Sequence, residues 1–361
     1  MESRGLLFIP DISGFTRFVN ETEIDHSRMI IQELLEILIN ANTVGLEVSE
    51  IEGDAILFYK FGDPPPLEEL YKQVENMFIA FHRNLNAYDN RRYCQCKSCM
   101  SAINLSLKVV THYGEFTGYN VKTFNKLIGK DVIVAHQLLK NDIPQHEYWL
   151  VTQSLLQNHP PTGFANWMKW NKSIKRTESG EIPFHYTQLS QLRDSIPPEL
   201  PPKPDLSNKV KVISLSQQYD ADIITLFHAI GDFHYRHLWR DGVKRVEEVN
   251  HYLPRVGMRC RCVLENEEII TNSSSYLYQS DRIEFGETEE KNSNITQYTL
   301  EKKGDDKTLL TIDYYLPKNL LRQILFFLNE KKKLEKSLRK SMANATGLVK
   351  ELYARRLKLV E

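Results

Sequence analysis

Between Ser195 and Asp205 the chain places Pro197, Pro198, Pro201, Pro202 and Pro204 within eight residues. Proline has no amide N–H and fixes φ, so neither a helix nor an inner strand continues through such a stretch. It reads as an extended, semi-stiff linker. The 361 residues are thereby divided into parts of about 195 and 155 residues, each of domain size. We expect one domain over 1–195, a linker over 196–208 and a second domain over 209–361. Hydrophobic residues make up 41% and charged residues 26%, enough apolar side chains for two cores. Lys and Arg number 46 against 47 Asp and Glu, a balance that argues against a nucleic-acid partner. No apolar run is long enough to span a bilayer, and Met1–Phe8 is too short a run for a signal peptide. Five cysteines, an odd and clustered set, do not make a secreted disulfide framework. A cytoplasmic protein is expected.

The first part alternates strands and helices. Leu6–Ile9 reads as a buried strand ending at Pro10. From Thr16 a helix carries Ile30, Ile31, Leu34, Leu35 and Leu38 at helical spacing. Glu47–Glu50 and Ala55–Tyr59 are strands joined by a Gly-Asp turn. A helix follows Pro64-Pro65-Pro66 to about Leu85. Ile103–Thr111 and Tyr148–Thr152 read as strands, with a helix over Asp131–Leu139 between them. The second part reads as strands over Val210–Leu215, Val243–Tyr252, Gly257–Leu264, Ser274–Ile283, Asn294–Lys302 and Thr308–Tyr315. A helix lies near Asp220–Ile230. A long helical pattern runs from Pro317 to about Leu357, with Leu321, Ile324, Leu325, Leu328, Leu334, Leu338, Leu348 and Leu352 as apolar members. The fold class is α+β, with an antiparallel sheet and a terminal helix laid on it in the second part.

Asp11 ends a buried strand, directly before Ser13-Gly14-Phe15-Thr16 and a helix. Free N–H groups at a helix start suit phosphate, and an adjacent carboxylate suits the accompanying Mg²⁺. Asp54 stands in the Glu52-Gly53-Asp54 turn. Two carboxylates at two loop tips suit shared divalent metal in phosphoryl transfer. Spacing alone is more often that of Asp11 as a cap and Asp54 as a turn residue. Phe8-Ile9-Pro10-Asp11-Ile12-Ser13-Gly14-Phe15-Thr16 resembles the first motif of class III nucleotidyl cyclase catalytic domains, and Glu50-Ile51-Glu52-Gly53-Asp54-Ala55 resembles their second metal motif. His112–Gly118 and Gly129–Leu138 resemble their later strand turn and dimer-face helix. The resemblance covers about residues 5–155. It implies a ferredoxin-like domain, a head-to-tail homodimer, Mg or Mn on Asp11 and Asp54, and GTP or ATP held by Gly14, Phe15, Thr16, Glu50 and Lys126.

The departures from that pattern concern activity. Members of the family use an Asn and an Arg from the partner subunit to hold the ribose and stabilise the transition state. Here Ile133 and Gln137 stand at those positions. Ile has no hydrogen-bonding group, and Gln cannot offset charge on a transferring phosphate. Each lost contact of this kind costs about 10²–10³ in rate. Efficient cyclisation then needs a cation from Lys126, Lys130 or a partner. Glu50 matches the guanine-specific choice at one base-reading position, whereas Lys126 matches neither usual choice at the other.

Cys94-Gln95-Cys96-Lys97-Ser98-Cys99 supplies three thiols at spacing suited to zinc. His82 or a further Cys is the candidate fourth ligand, and a redox pair or three ordinary thiols are the alternatives. The cyclase resemblance does not extend to this insertion. Cys260 and Cys262 alternate on one strand and read as small core filler.

In the second part, His228, His234, His237 and Asp241 could serve acid–base chemistry or a metal. Alternatively they mark a helix-to-strand passage among aromatic core residues. The Asp, aromatic, Trp and Asp241-Gly242-Val243 pattern, with Pro254-Arg255-Val256-Gly257-Met258-Arg259, resembles START-like (SRPBCC, polyketide-cyclase-like) domains over about 208–345. That implies a helix-grip fold with a small apolar ligand beneath the long helix. Lys331–Lys340 carries six basic residues against one Glu and reads as the solvated side of that helix. The expected protein is a dimeric signalling molecule in which nucleotide and metal binding are partly kept and cyclisation is impaired. The alternatives are an active guanylate or adenylate cyclase, and a ligand carrier that uses the cyclase-like domain only to dimerise.

Overall fold

The structure is a computed structural model that describes residues 4–22, 24–91, 96–122, 124–157, 159–177, 180–198, 200, 202–250, 256–265 and 267–357. Two compact units appear, the first from Met1–Asp89 and Cys96–Pro198, the second from Asn90–Gln95 and Glu199–Glu361.

The first unit runs β1 (Arg4–Ser13), α1 (Phe15–Glu21), α2 (Ile24–Asn40), β2 (Glu47–Glu52), β3 (Ala55–Phe61), α3 (Leu67–Arg91) and α4 (Lys97–Ser101). It continues through β4 (Ser106–Glu115), β5 (Thr117–Val121), β6 (Phe124–Ile128), α5 (Lys130–Leu139), β7 (Tyr148–Thr152), β8 (Asn171–Thr177) and β9 (Gly180–Gln188). Its main sheet has the order β2-β3-β1-β4-β7-β9-β8. β1 is antiparallel to both β3 and β4, and β2 is antiparallel to β3. Four strands in the order β2-β3-β1-β4, with helices after β1 and β3, form the ferredoxin-like split βαβ. From Gly5 to Ser13 every residue of β1 is buried, which explains its unbroken apolar run. Leu7 and Ile9 face α5 through Val132, Val134, Ala135 and Leu138. Alternation turns Leu6 and Phe8 to the other face, where Tyr71 of α3 lies 6.3 Å from Trp149 of β7. β4 and β7 are parallel, joined by α5. The β5–β6 hairpin and the β9–β8 extension carry no helix-period pattern and were not among the expected strands.

The second unit runs β10 (Lys209–Tyr219), α6 (Ile223–Gly231), α7 (Arg236–Trp239), β11 (Arg245–Asn250), β12 (Arg259–Val263), β13 (Glu268–Tyr278), β14 (Arg282–Glu289), β15 (Ile295–Gly304), β16 (Lys307–Pro317), α8 (Leu320–Leu325) and α9 (Lys331–Leu357). One antiparallel sheet has the order β10-β16-β15-β14-β13-β12-β11. The first strand closes on the last, and α9 packs on α6, α7 and β10. This is the helix-grip arrangement. Leu338, Met342, Ala345 and Val349, spaced four, three and four apart, give α9 its buried stripe.

Two expectations need correction here. Ser274–Ile283 is not one strand: β13 ends at Tyr278 and β14 begins at Arg282, because Ser280 and Asp281 supply turn residues. The terminal helix runs on from Leu320 to Leu357 as expected, but the burial along its first turns differs from that of a core-facing stripe. A π turn over Phe326–Glu330 lies between α8 and α9. Around it Leu321, Ile324, Leu325 and Leu328 are 49–75% exposed, so helical periodicity there does not mark a core face. No described helix is long and apolar enough to cross a membrane.

Candidate functional site

The first unit contains a cleft of about 870 Å³ at the end of β1. Asp11, Gly14, Phe15, Thr16, Asp54, Ile133 and Gln137 all line it. The fold makes this convergence. Asp11 and Ala55 are register partners, and the Ile12 N–H donates to the Asp54 carbonyl at 3.0 Å. These contacts bring the β2–β3 turn beside the end of β1. Gly14 leads into α1 with φ near 90°, a left-handed conformation in which a side chain would be strained. α5 supplies Ile133, 58% exposed, and Gln137 to the opposite wall.

The electrostatics are those of crowded acids. Burial raises the Asp11 carboxyl above its ordinary range, although Lys108 acts to lower it. Burial, and then the charge on Asp11, raise Asp54 from 3.8 to about 6. Lys108 lies directly opposite Asp11 in the β1–β4 register, with Nζ 3.3 Å from its carboxylate. The donor set fits a divalent ion: two carboxylates, hard oxygen ligands, line the same cleft, and burial disfavours the charged form of each. Lys108 supplies positive charge in its place.

Glu50 and Lys126 are ion-paired with each other. The two residues read as base-recognition positions therefore satisfy one another. Glu52 and His136, not singled out from sequence, stand with Glu50 in a cluster whose ligand atoms lie within 4.8 Å. His136 Nδ1 is 3.6 Å from Glu52. The alternation of Glu50 and Glu52 along β2 was the available signal, but their meeting with α5 is tertiary. Lys130 is exposed at the start of α5 and does not line this cleft.

Between β4 and the start of α5, His112 Nε2 lies 2.9 Å from Asp131, and the Glu115 N–H donates to the other oxygen at 2.7 Å. Burial opposes ionisation of Asp131, yet these two contacts hold its pKa below the usual range. A Cβ at Gly114 would fall 2.2 Å from Asp131 Cγ, so this position has room only for glycine.

Cys94 lies outside the described residues. Cys96 and Cys99 sit one α4 turn apart, and both approach His26 of α2 at 3.3 Å. His82 is not the third member. It is buried in α3 with Nε2 3.9 Å from Glu147, and burial and then the Arg193 charge lower its pKa to about 3. His26 could not be chosen from sequence because about seventy residues separate it from the cysteines.

In the second unit the acid–base candidates take structural positions. Asp232 accepts from the His234 N–H and ring at 2.9 Å. Asp241 pairs with Lys340 at 2.8 Å. His237 is exposed. Cys260 and Cys262 are buried with Phe233 and Met258. The polar feature missed from sequence is Arg236 of α7, ion-paired with Glu287 of β14, both about 95% buried. Ser273, opposite Glu287 in the β13–β14 register, and Thr271 carry buried hydroxyls with no hydrogen-bond partner among the described residues. The Trp239 Nε1 is in the same condition.

A family of proteins of unknown function, DUF2652, matches residues 31–148. An uncharacterised Mycobacterium tuberculosis protein, Rv2561/Rv2562, is 33% identical over 134 residues, which are 35% of this chain. The match spans 58% of the length of that curated relative. Among solved structures, the catalytic core of a rhodopsin-guanylyl cyclase with converted specificity is similar at 15% identity and a TM-score of 0.38, covering 52% of this chain and 96% of that one. A bacterial light-regulated adenylyl cyclase is similar at 16% and 0.37, covering 54% and 97%. A START superfamily protein from Mycobacterium smegmatis is similar at 16% and 0.31, covering 40% and 99%. The fold assignment rests on the strand orders and pairings described above.

Proposed function

We propose that this chain is a signalling protein whose first domain binds a divalent metal and a nucleoside triphosphate without efficient cyclisation, and whose second domain binds a small ligand. The observation that carries the reading is one cleft lined by Asp11 and Asp54 together with Ile133 and Gln137. Asp11 and Asp54 would hold Mg²⁺ or Mn²⁺. The bound ion would neutralise phosphate oxygens. The wall that would have to hold ribose and stabilise a transition state presents an alkyl group and a neutral amide. Lys126, the expected substitute cation, is engaged with Glu50.

A homodimer is part of this proposal. Val48 and Ile51 on β2, Tyr119 and Val121 on β5, Ile128 on β6 and Ile133 on α5 are 42–58% exposed. That is an apolar face a second copy would cover. In the second domain, support for a ligand comes from the helix-grip arrangement and from the unpartnered polar atoms of Thr271, Ser273 and Trp239. Buried polar groups without partners are costly, so the ligand favoured is amphipathic rather than purely apolar.

Calorimetric titration of the full chain with GTP and ATP, in Mg²⁺ and in Mn²⁺, tests the reading. Binding is expected for the wild type and lost in Asp11→Asn/Asp54→Asn, with no cyclic nucleotide formed by either. Absence of wild-type binding at millimolar nucleotide would sink the nucleotide half. Cyclic product above the level of the double variant would replace the reading with an active cyclase.

A further inference from the structure

We propose that His26, Cys96 and Cys99 bind a zinc ion, at a site separate from the carboxylate cleft, that ties α4 to the first turn of α2. The ligands come from two elements that the fold brings together. Cys96 caps the N-terminus of α4, its Sγ accepting from the Cys99 N–H at 3.4 Å. One helical turn then places both sulfurs on the same side. His26 comes from the opening turn of α2.

The geometry places one imidazole nitrogen between two thiol sulfurs. His26 Nδ1 lies 3.3 Å from Cys96 Sγ and 3.3 Å from Cys99 Sγ. A neutral imidazole nitrogen has either one proton to donate or one lone pair to accept with. Without a metal it shares that one proton or lone pair between the two sulfurs in a weaker three-centre contact. A cation among the three atoms satisfies all of them. Zinc bond lengths of about 2.3 Å to sulfur and about 2.0 Å to nitrogen, at tetrahedral angles, separate S and N by about 3.6 Å. The two observed separations are within a few tenths of an ångström of that. All three ligand atoms lie within 4.8 Å of one another.

The surroundings suit a thiolate–metal centre. The Tyr88 hydroxyl donates to Cys99 Sγ at 2.8 Å, the outer-shell bond that orients a ligand and tunes its charge. Cys99 is 1% exposed, which keeps competing ligands from its sulfur. Two sulfurs and an imidazole form a soft donor set that selects zinc over Mg²⁺ or Mn²⁺, so one unit can hold both kinds of metal without exchange. α4 also packs against α1, whose first residues line the cleft. The zinc would therefore brace the helix on which Phe15 and Thr16 are carried.

Full-chain protein purified without added metal is analysed by native mass spectrometry under reducing conditions, then stripped and titrated with Co²⁺. One zinc per chain is expected, together with a Co²⁺ spectrum carrying a thiolate charge-transfer band and the strong visible bands of a tetrahedral site. Cys96→Ser and His26→Ala should each lose the bound zinc and weaken or remove the cobalt bands. Folding of each variant is checked by far-ultraviolet circular dichroism. The wild-type cobalt spectrum needs no variant, so it keeps the test decisive if a variant fails to fold. Wild-type protein that is metal-free and gives no thiolate band with Co²⁺ overturns the proposal, as does undiminished zinc in the folded Cys96→Ser/His26→Ala double variant.

Discussion

Replacing Asp54 by Asn should stabilise the metal-free protein at neutral pH and not at acid pH. Asp54 stands half-exposed in the turn between β2 and β3. Burial and then the Asp11 charge raise its pKa from 3.8 to about 6. Its folded form thus holds a proton more tightly than its unfolded form. The resulting contribution to stability is fully present below the unfolded value and is lost as pH rises through about 6. At about 1.4 kcal/mol per tenfold, the shift corresponds to roughly 3 kcal/mol for a fully shielded group. Because Asp54 is half-exposed, solvent screening reduces this to about 1 kcal/mol. Asn keeps the shape without the charge. The Ile12 N–H to Asp54 carbonyl bond belongs to the main chain and survives. Thermal unfolding of wild type and Asp54→Asn in metal-free buffer, at about pH 3.5 and about pH 7.5, isolates the effect, since packing changes common to both pH values cancel. The variant should gain about 1 kcal/mol between the two conditions, about 2–4 °C in Tm for a domain of this size. Adding Mg²⁺ or Mn²⁺ at the higher pH should raise the wild-type Tm by mass action and leave the variant unchanged. An equal wild-type-to-variant difference at both pH values, or one of opposite sign, refutes the reasoning about crowded carboxylates.

Glu287→Gln should cost about 3–5 kcal/mol in denaturant unfolding, because Arg236 would be left as an uncompensated buried charge. Arg236→Met/Glu287→Leu should recover most of that loss. Gly114→Ala should destabilise the first domain by about 1–3 kcal/mol through overpacking, since its Cβ would fall 2.2 Å from Asp131 Cγ. Adding Asp131→Ala should relieve part of that strain, as read by the same unfolding experiment.

Local chemistry made the carboxylates legible. A buried strand ending in Pro10-Asp11, a glycine that accepts positive φ, and a Gly-Asp turn are written within a few residues each, and they locate Asp11 and Asp54 at loop tips. The alternation of Cys260 and Cys262 likewise puts both on one face, and the proline run marks a linker by its composition alone. The partners of these groups were not legible. Lys108 meets Asp11 only through the β1–β4 register. Glu50 meets Lys126 only because β6 folds beside β2. Arg236 finds Glu287 across fifty-one residues.

Periodicity also misled where it lacked its usual cause. Leu321, Ile324, Leu325 and Leu328 repeat as a buried helical stripe repeats, yet they lie exposed around a π turn, because a pattern records spacing and not whether a surface is present to receive it. By itself the sequence determined most of the helices and the apolar strands, though not β5, β6, β8 and β9, and which residues carry acid, thiol or imidazole chemistry, since these follow from short-range propensity and side-chain type. The tertiary structure alone decided which of those groups meet: Asp11 with Lys108, Glu50 with Lys126, and His26 rather than His82 with the cysteines. Such meetings depend on sheet register and helix packing, which are set by the whole core at once.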